Sequence, residues 1–322
     1  MKAMVYRKYG SPEQLQLIEV DKPVPKAYEV LVKVKNASVN SWDWDLITGK
    51  PLIYRLLFGI LKPGFPIIGS DIAGTVEAVG SEVQYLKPGT EVFGDISGIG
   101  FGAFAEYVAV PENLLAVKSV KMTFEEAAAI PQAGVLALQG LRKGGIKTRR
   151  RVLINGAGGG VGTFAIQIAR LWGAEVTAVD KYDKRDMLRS LGADYFIDYT
   201  KKDFTQTGQK YDLILDVLAE RSVFDYRRAL NSGGSLVIVG GAVFTLLQTG
   251  ILGKWISGKN RSLSLLAHRP NKDDLEELKT MFDSGSVKPI IDKVYPLADL
   301  PQAIRMLGEG QIKGKVVIKM NG

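Results

Sequence analysis

VLINGAGGGVGTFAIQIARLWGAEVTAVD, residues Val152–Asp180, is the stretch from which the rest of the 322-residue chain is read. An apolar strand, Val152–Asn155, runs into a glycine-rich turn. A helix follows with Val161, Ala165, Ile168, Ala169 and Trp172 at 3.6-type spacing, and a second strand, Glu175–Val179, stops at Asp180. Reading back from Gly162, the turn is Ala157-x-Gly159-x-x-Gly162, with further glycines at 156, 158 and 160. The strict G-x-G-x-x-G is absent. Strand, tight turn, helix and an acidic residue about 18 positions on form the order that a dinucleotide pyrophosphate needs. Glycines let the backbone approach the phosphates, and the N–H groups and positive dipole end of the helix face the anion. Ala157, Gly158, Gly159, Gly160, Val161 and Gly162 are therefore expected at the phosphates, and Asp180 at the adenosine ribose.

Outward from that stretch, 322 residues suggest two domains at about 150 residues each. The chain is 46% hydrophobic and 24% charged, as in globular proteins that bury a full core. It has no Cys and one His, His268, so disulfides and thiolate metal sites are excluded. His268 itself reads as a surface or packing histidine. The net charge is +8, but Lys and Arg are scattered, with Lys147–Arg151 (KTRRR) the one dense cluster, so nucleic acid is not the expected partner. The N-terminus has no secretory signature, no apolar run reaches about 18 residues, and a cytoplasmic protein is expected.

Residues 1–119 read as β-rich. Alternation at 15–20 and 30–35 indicates half-buried strands, and further strands are expected at 72–79, 90–94 and 104–110. Residues 36–49 read as a polar, aromatic turn and short helix. Near Lys121 the period becomes helical, with Thr123 and Glu126 as a cap and Pro131 as a break. Strands at 195–198, 213–216, 236–239 and 262–267 alternate with helices, which implies a doubly wound parallel sheet. After Asn271, a helix and strands near 290–295 and 315–320 indicate a return to the first region. Two apolar stretches, 53–65 and 243–256, read as loops too short to span a bilayer. They suit a lid, a subunit contact or a hydrophobic substrate wall, with peripheral membrane contact as the alternative.

Together with the fingerprint, ASVNSWDWD (37–45), FPIIGSDIAGTVEAVG (65–80), KPGTEVFG (87–94), GAFAEYVAVP (102–111), LGADYFIDY (191–199) and GKVVI (314–318) resemble the medium-chain dehydrogenase/reductase superfamily. Within it they resemble the zinc-free quinone oxidoreductase (zeta-crystallin-like) branch, along essentially the whole chain. The resemblance implies an α/β chain with a GroES-like β-rich catalytic domain (first part, 1–119) and a Rossmann NAD(P)-binding domain of doubly wound parallel sheet (120–267). Residues 268–322 would return to the catalytic domain.

Zinc-dependent relatives hold catalytic zinc with Cys and His, but Asn40 matches the first such Cys and neither zinc site is buildable here. Metal-free hydride transfer from NAD(P)H to a small hydrophobic quinone or to an α,β-unsaturated carbonyl remains. Other activated alkenes or carbonyls, and a non-catalytic nucleotide- or nucleic-acid-binding protein, are the rival readings. Asn40 is a candidate donor to the acceptor carbonyl or the cofactor, Asp43 a residue that ties the turn, and Tyr54 a candidate proton donor with water as its alternative. Lys181 follows Asp180 directly, and Lys184 and Tyr199 match positions that contact a 2′-phosphate. The set expected at the cofactor also includes Gly240, Gly241, Leu265 and Leu266. NADP(H) is favoured over NAD(H) because two lysines oppose one carboxylate. A homodimer is expected by analogy with relatives.

Overall fold

A computed structural model describes residues 1–257 and 260–320. The chain divides into two compact units, one of Met1–Ala133, Arg269–Ser284 and Pro289–Gly322, the other of Gly134–His268 and Gly285–Lys288. Residues 321–322, within the stretch expected to return to the first unit, lie outside the described residues.

The first unit opens with an antiparallel ribbon, β1 (Lys2–Val5) on β2 (Gln16–Glu19). Its central strand is β3 (Glu29–Val39), followed by helices α1 (Ser41–Thr48) and α2 (Ile53–Phe58). Strands β4 (Asp71–Val79), β5 (Glu91–Asp95), β6 (Tyr107–Pro111) and β7 (Leu115–Val117) come next, then α3 (Phe124–Ala129) and the first turn of α4 (Pro131–Lys143), which from Gly134 on belongs to the second unit. The second unit supplies β8 (Arg151–Asn155), α5 (Gly160–Leu171), β9 (Glu175–Asp180), α6 (Arg185–Ser190) and β10 (Tyr195–Asp198). It continues with β11 (Tyr211–Asp216), α7 (Val223–Ala229), β12 (Leu230–Ile238), α8 (Val243–Ser257) and β13 (Ser262–Leu265). The chain closes with α9 (Lys272–Asp283), β14 (Ile291–Pro296), α10 (Leu300–Gly308) and β15 (Lys315–Lys319).

In the first unit, β14, β15, β3, β4, β5 and β7 lie side by side in that order, and β6 also pairs with β3. Every second residue along the start of β3 (Val30, Val32, Val34) points into a core shared with Ile72 and Val76 of β4 and Val316 and Ile318 of β15. That core therefore needs both ends of the chain. The unit continues to Ala133, past the boundary expected at 119, because α3 packs on β3 and β4. The reciprocal bonds of Thr123 and Glu126 fix the start of α3, as the cap signature anticipated.

The second unit is a six-stranded parallel sheet in the order β10-β9-β8-β11-β12-β13. Its winding reverses between β8 and β11, where open α/β sheets place their ligands. The central strands are buried on both faces, with Leu153, Ile154, Ile214 and Leu215 inaccessible, which is why they read as apolar runs rather than alternations.

Four local expectations change. Residues 36–39 are not part of a turn but the end of β3, where Asn36 and Ser38 are buried. Strand β6 starts at Tyr107 rather than 104, because the Phe104 backbone bonds instead to Met4 and Ile68. The apolar stretch 53–65 begins with helix α2. The stretch from 243 is not a loop but α8; its large residues point outward as well as inward, so no one-sided period marks it. Among the described residues no helix is long and apolar enough to cross a membrane.

Candidate active site

In the second unit the glycine turn sits at the C-terminal end of β8, and α5 starts at Gly160 with Gly159 as its cap. The first turn of α5 has no intrahelical acceptors for its N–H groups, which makes it a cradle for phosphate. A Cβ on Gly162 would meet the Gly156 carbonyl and the Ala157 backbone, so only glycine permits this approach of helix to turn. Gly156 takes a left-handed φ of 76°, which closes the turn.

Asp180 ends β9 beside this turn, and its carboxylate faces inward. One oxygen accepts the Gly158 N–H at 2.7 Å, the other the Lys181 N–H at 2.8 Å, and Lys184 Nζ stands 3.5 Å away. Asp180 and Lys184 are both buried, and the Lys184 stem crosses the space that a Cβ on Gly158 would need. The turn, Asp180 and Lys184 thus form one assembly, and the Tyr199 backbone N–H reaches the Asp180 carbonyl. Lys181 is exposed. Gly241 pairs with Ala219 and Leu266 donates to the Ile238 carbonyl, which places Gly240, Gly241, Leu265 and Leu266 at the same strand ends.

Sequence reading missed Asn155 and Asp216, which mark the reversal point. Asp216 is fully buried and accepts from Asn155 Nδ2 (2.8 Å), the Tyr226 hydroxyl (2.8 Å) and the Leu218 N–H (3.0 Å). Burial pushes its carboxyl up to about 6 against those three donors. It fixes the loop that leaves β11.

In the first unit Asn40 occupies the residue just before α1, where Asp43 accepts its N–H at 2.8 Å and the Gly69 N–H at 3.0 Å. Asp43 does tie the turn, and burial raises its carboxyl to about 7. The Asn40 side chain is enclosed. Its oxygen accepts Lys315 Nζ at 2.5 Å, and its amide donates to Asp71 (3.0 Å) and to the Ser70 hydroxyl (3.2 Å). The amide and the oxygen of Asn40, the candidate donor to an acceptor carbonyl or the cofactor, are thus engaged within the protein. Lys315 also reaches Asp71 at 3.2 Å and the Val39 carbonyl at 3.1 Å. Asp71 further accepts from Ser38 (2.8 Å) and from the Gln132 N–H in the first turn of α4 (2.9 Å). Burial raises the Asp71 carboxyl, and the Lys315 ammonium opposes that rise. A charged residue inside each of two apolar strands, GSDIAG and GKVVI, was the one available signal for this pair.

Tyr54, on α2, has a different partner. Its phenol lies beside the Asp45 carboxyl of α1, and burial raises Tyr54 to about 12 and Asp45 to about 6. The Tyr54 ring stacks on Phe58 (6.1 Å between centroids), and Phe58, Phe65, Phe101 and Trp42 continue as one aromatic group. Phe101 holds a left-handed φ of 72° between two left-handed glycines, a strained backbone that keeps its ring in this group.

Two family models match the chain, one described as an alcohol dehydrogenase GroES-like domain over residues 26–120 and one as a zinc-binding dehydrogenase over 191–318. The chain is 36% identical to 2-methylene-furan-3-one reductase of Solanum lycopersicum, over 99% of this chain and 79% of that one. It is 33% identical to the NADPH-dependent alkenal/one oxidoreductase, chloroplastic, of Arabidopsis thaliana, again over 99% and 79%. Among solved structures, the quinone oxidoreductase from Coxiella burnetii superposes with a TM-score of 0.89 at 28% identity, over 100% of this chain and 99% of that one. Zinc in the second description has no matching donors here. The chain has no Cys and one His, and among the described residues no group of three His, Asp or Glu is placed to hold a metal.

The buried pair makes a direct prediction. Asp71→Asn leaves the Lys315 ammonium enclosed without a carboxylate, and this should cost about 3–5 kcal/mol of stability. Lys315→Met should cost a similar amount, and the double variant clearly less than the two together. Urea unfolding of the four proteins measures the coupling; strictly additive losses would mean that the charges do not depend on each other.

Proposed function

Because the chain belongs to the medium-chain dehydrogenase/reductase superfamily, in its zinc-free quinone oxidoreductase branch, we propose that it reduces a quinone or an α,β-unsaturated carbonyl with a nicotinamide cofactor. The observation that carries this reading is the Asn40 network. At the position of a zinc ligand in metal-dependent relatives stands an amide held by Lys315, Asp71 and Ser70. The residues of the second unit fit a dinucleotide: the α5 N-terminus for the pyrophosphate, and Asp180, Lys181 and Lys184 around the ribose. When bound, the nicotinamide supplies the hydride. The protein's own part is to bind, to exclude water and to provide a proton.

NADP(H) is the cofactor supported by the Asp180 geometry. A free carboxylate about 4 Å from a 2′-phosphate would oppose it by about 4 kcal/mol per unit charge at a dielectric near 20. Here that carboxylate is turned into the glycine turn and paired with Lys184, while Lys181 faces solvent. The name of the Arabidopsis relative, an NADPH-dependent enzyme, points the same way.

Tyr54 is the proton donor in this reading, with Asp45 as the residue that positions its hydroxyl. With Asp45 ionised, the phenol donates to the carboxylate and its proton is held away from an acceptor. Protonated Asp45 donates to the phenol oxygen instead, and the tyrosine O–H turns free. The aromatic group beside Tyr54 suits a flat acceptor.

A homodimer is part of the proposal. Among the described residues strand β13 pairs only with β12, at the end of the sheet, and Phe244, Leu247, Ile251 and Trp255 of α8 face outward.

Three measurements test these points. Lys184→Ala should lower kcat/KM for NADPH by about tenfold, because the Asp180 carboxylate then lacks the cation that offsets it beside a 2′-phosphate, and for NADH by far less. A wild-type preference for NADH that survives the change would assign the ribose to Asp180. For the proton step, enone reduction should speed up as the pH falls through about 6, where Asp45 takes up its proton. Asp45→Asn should hold the fast rate across the range and Tyr54→Phe should lose it; an unchanged pH profile in Asp45→Asn leaves Asp45 without this role. Light scattering on the purified protein should give twice the 35.1 kDa chain mass, and a monomer would end the dimer reading.

A further inference from the structure

Helix α2 and the turn after it present an apolar surface of an unusual kind. Within ten residues, Leu52, Ile53, Leu56, Leu57, Ile60 and Leu61 are all exposed, Leu57 at 67% and Leu61 at 94%. The turn is built rather than loose. Gly64 N–H returns to the Phe58 carbonyl at 2.6 Å, and the Tyr9 hydroxyl donates to the Gly59 carbonyl at 2.5 Å. Gly59 has a φ of 129°, and a Cβ there would strike the Lys62 carbonyl, so the chain is held in a tight return with Ile60 and Leu61 at its tip. Phe58 and Phe65, packed on Phe101, support the tip from beneath.

The exposed charge on this stretch is basic, while the nearby Asp45 carboxyl faces Tyr54. Residues 46–70 contain Lys50, Arg55 and Lys62 and no Asp or Glu, in a chain of net charge +8. Lys50 and Lys62 flank the apolar residues and are exposed. Arg55 is fixed by its carbonyl partners Gly49 and Thr48 and by the Tyr9 ring. A tip of aliphatic side chains offers a partner dispersion and desolvation but few hydrogen bonds. Its rim offers cations on flexible stems that extend to the level of a headgroup.

From this we infer that the 52–61 surface docks on a lipid bilayer that carries anionic headgroups, with the Leu and Ile side chains in the acyl boundary and Lys50 and Lys62 at the headgroups. This goes beyond hydride transfer and does not depend on it. Each lysine adds attraction to an anionic surface, and salt weakens it within a Debye length.

The test is co-sedimentation of the full chain with vesicles of phosphatidylcholine alone or mixed with equal phosphatidylglycerol. The protein should pellet with the anionic vesicles, release as KCl is raised, and stay largely in solution with the neutral ones. L57E/L61E should lower partition by about tenfold or more, as apolar insertion is lost. K50E/K62E should remove the preference for anionic vesicles. Cofactor oxidation with a water-soluble acceptor, free of vesicles, should be unchanged in both variants and shows that they are folded. The inference is overturned if the wild type stays in solution with anionic vesicles, or if L57E/L61E binds them as well as the wild type. It is also overturned if light scattering shows that L57E/L61E converts a dimer to a monomer, because a second copy then covers this surface.

Discussion

The contact between Lys315 and Asp71 is the constraint on which the first unit depends. An ammonium and a carboxylate are removed from water together, and their burial is tolerable only because each has further partners in place. Those partners come from the end of β3, the Asn40 turn, Ser70 and the first turn of α4. Lys315 itself belongs to the last strand of the chain. A single polar cluster therefore joins segments more than 240 residues apart, and β15 must pair with β3 before the cluster is complete. The same cluster holds the amide of Asn40.

The second unit follows a related logic with a different purpose. Asp180 satisfies two backbone N–H groups and faces Lys184, so an acidic residue in a site for phosphates becomes part of the turn that receives them. Asp216 performs a similar task at the reversal point of the sheet, where three donors share one carboxylate. Both acids act through the backbone that they fix. Pre-set loops of this kind lower the ordering cost of binding, because the chain has already adopted the conformation that the ligand requires.

The apolar surfaces outside the two cores show why outward-facing hydrophobic residues were hard to interpret from their order alone. In α8, Thr245, Thr249 and Gly253 face inward while Phe244, Leu247, Ile251 and Trp255 face solvent. Small residues let the helix lie close to β13, and the large ones stand on its other side, toward solvent. The α2 tip departs from the usual pattern too, since its apolar side chains stand out from an aromatic base. A periodic reading assigns apolar residues to the interior and has no signal for either arrangement.

Local rules were enough for the sheet of the second unit. The glycine turn, the period of α5 and the alternation of strands with helices are set by neighbours in sequence, and β8, α5 and β9 lie where those rules place them. The cap at Thr123 and the break at Pro131 are equally local. The resemblance of seven separate segments supplied the family and the Asn40 position, and the absence of Cys excluded thiolate zinc before any fold was known. Tertiary structure alone decided what those residues touch. Asn40 reads as a candidate donor because nothing nearby in sequence competes for its amide; its partners Ser70, Asp71 and Lys315 arrive through strand pairing. The proximity of Asp45 to Tyr54 has no local signal because it depends on the packing of α2 against α1. The direction of the Asp180 carboxylate was likewise undetermined, since a side chain beside a turn faces inward or outward at similar local cost. Sequence fixes which groups are present and their local backbone, whereas a hydrogen bond or a buried charge pair needs coordinates from segments that only the folded chain brings together.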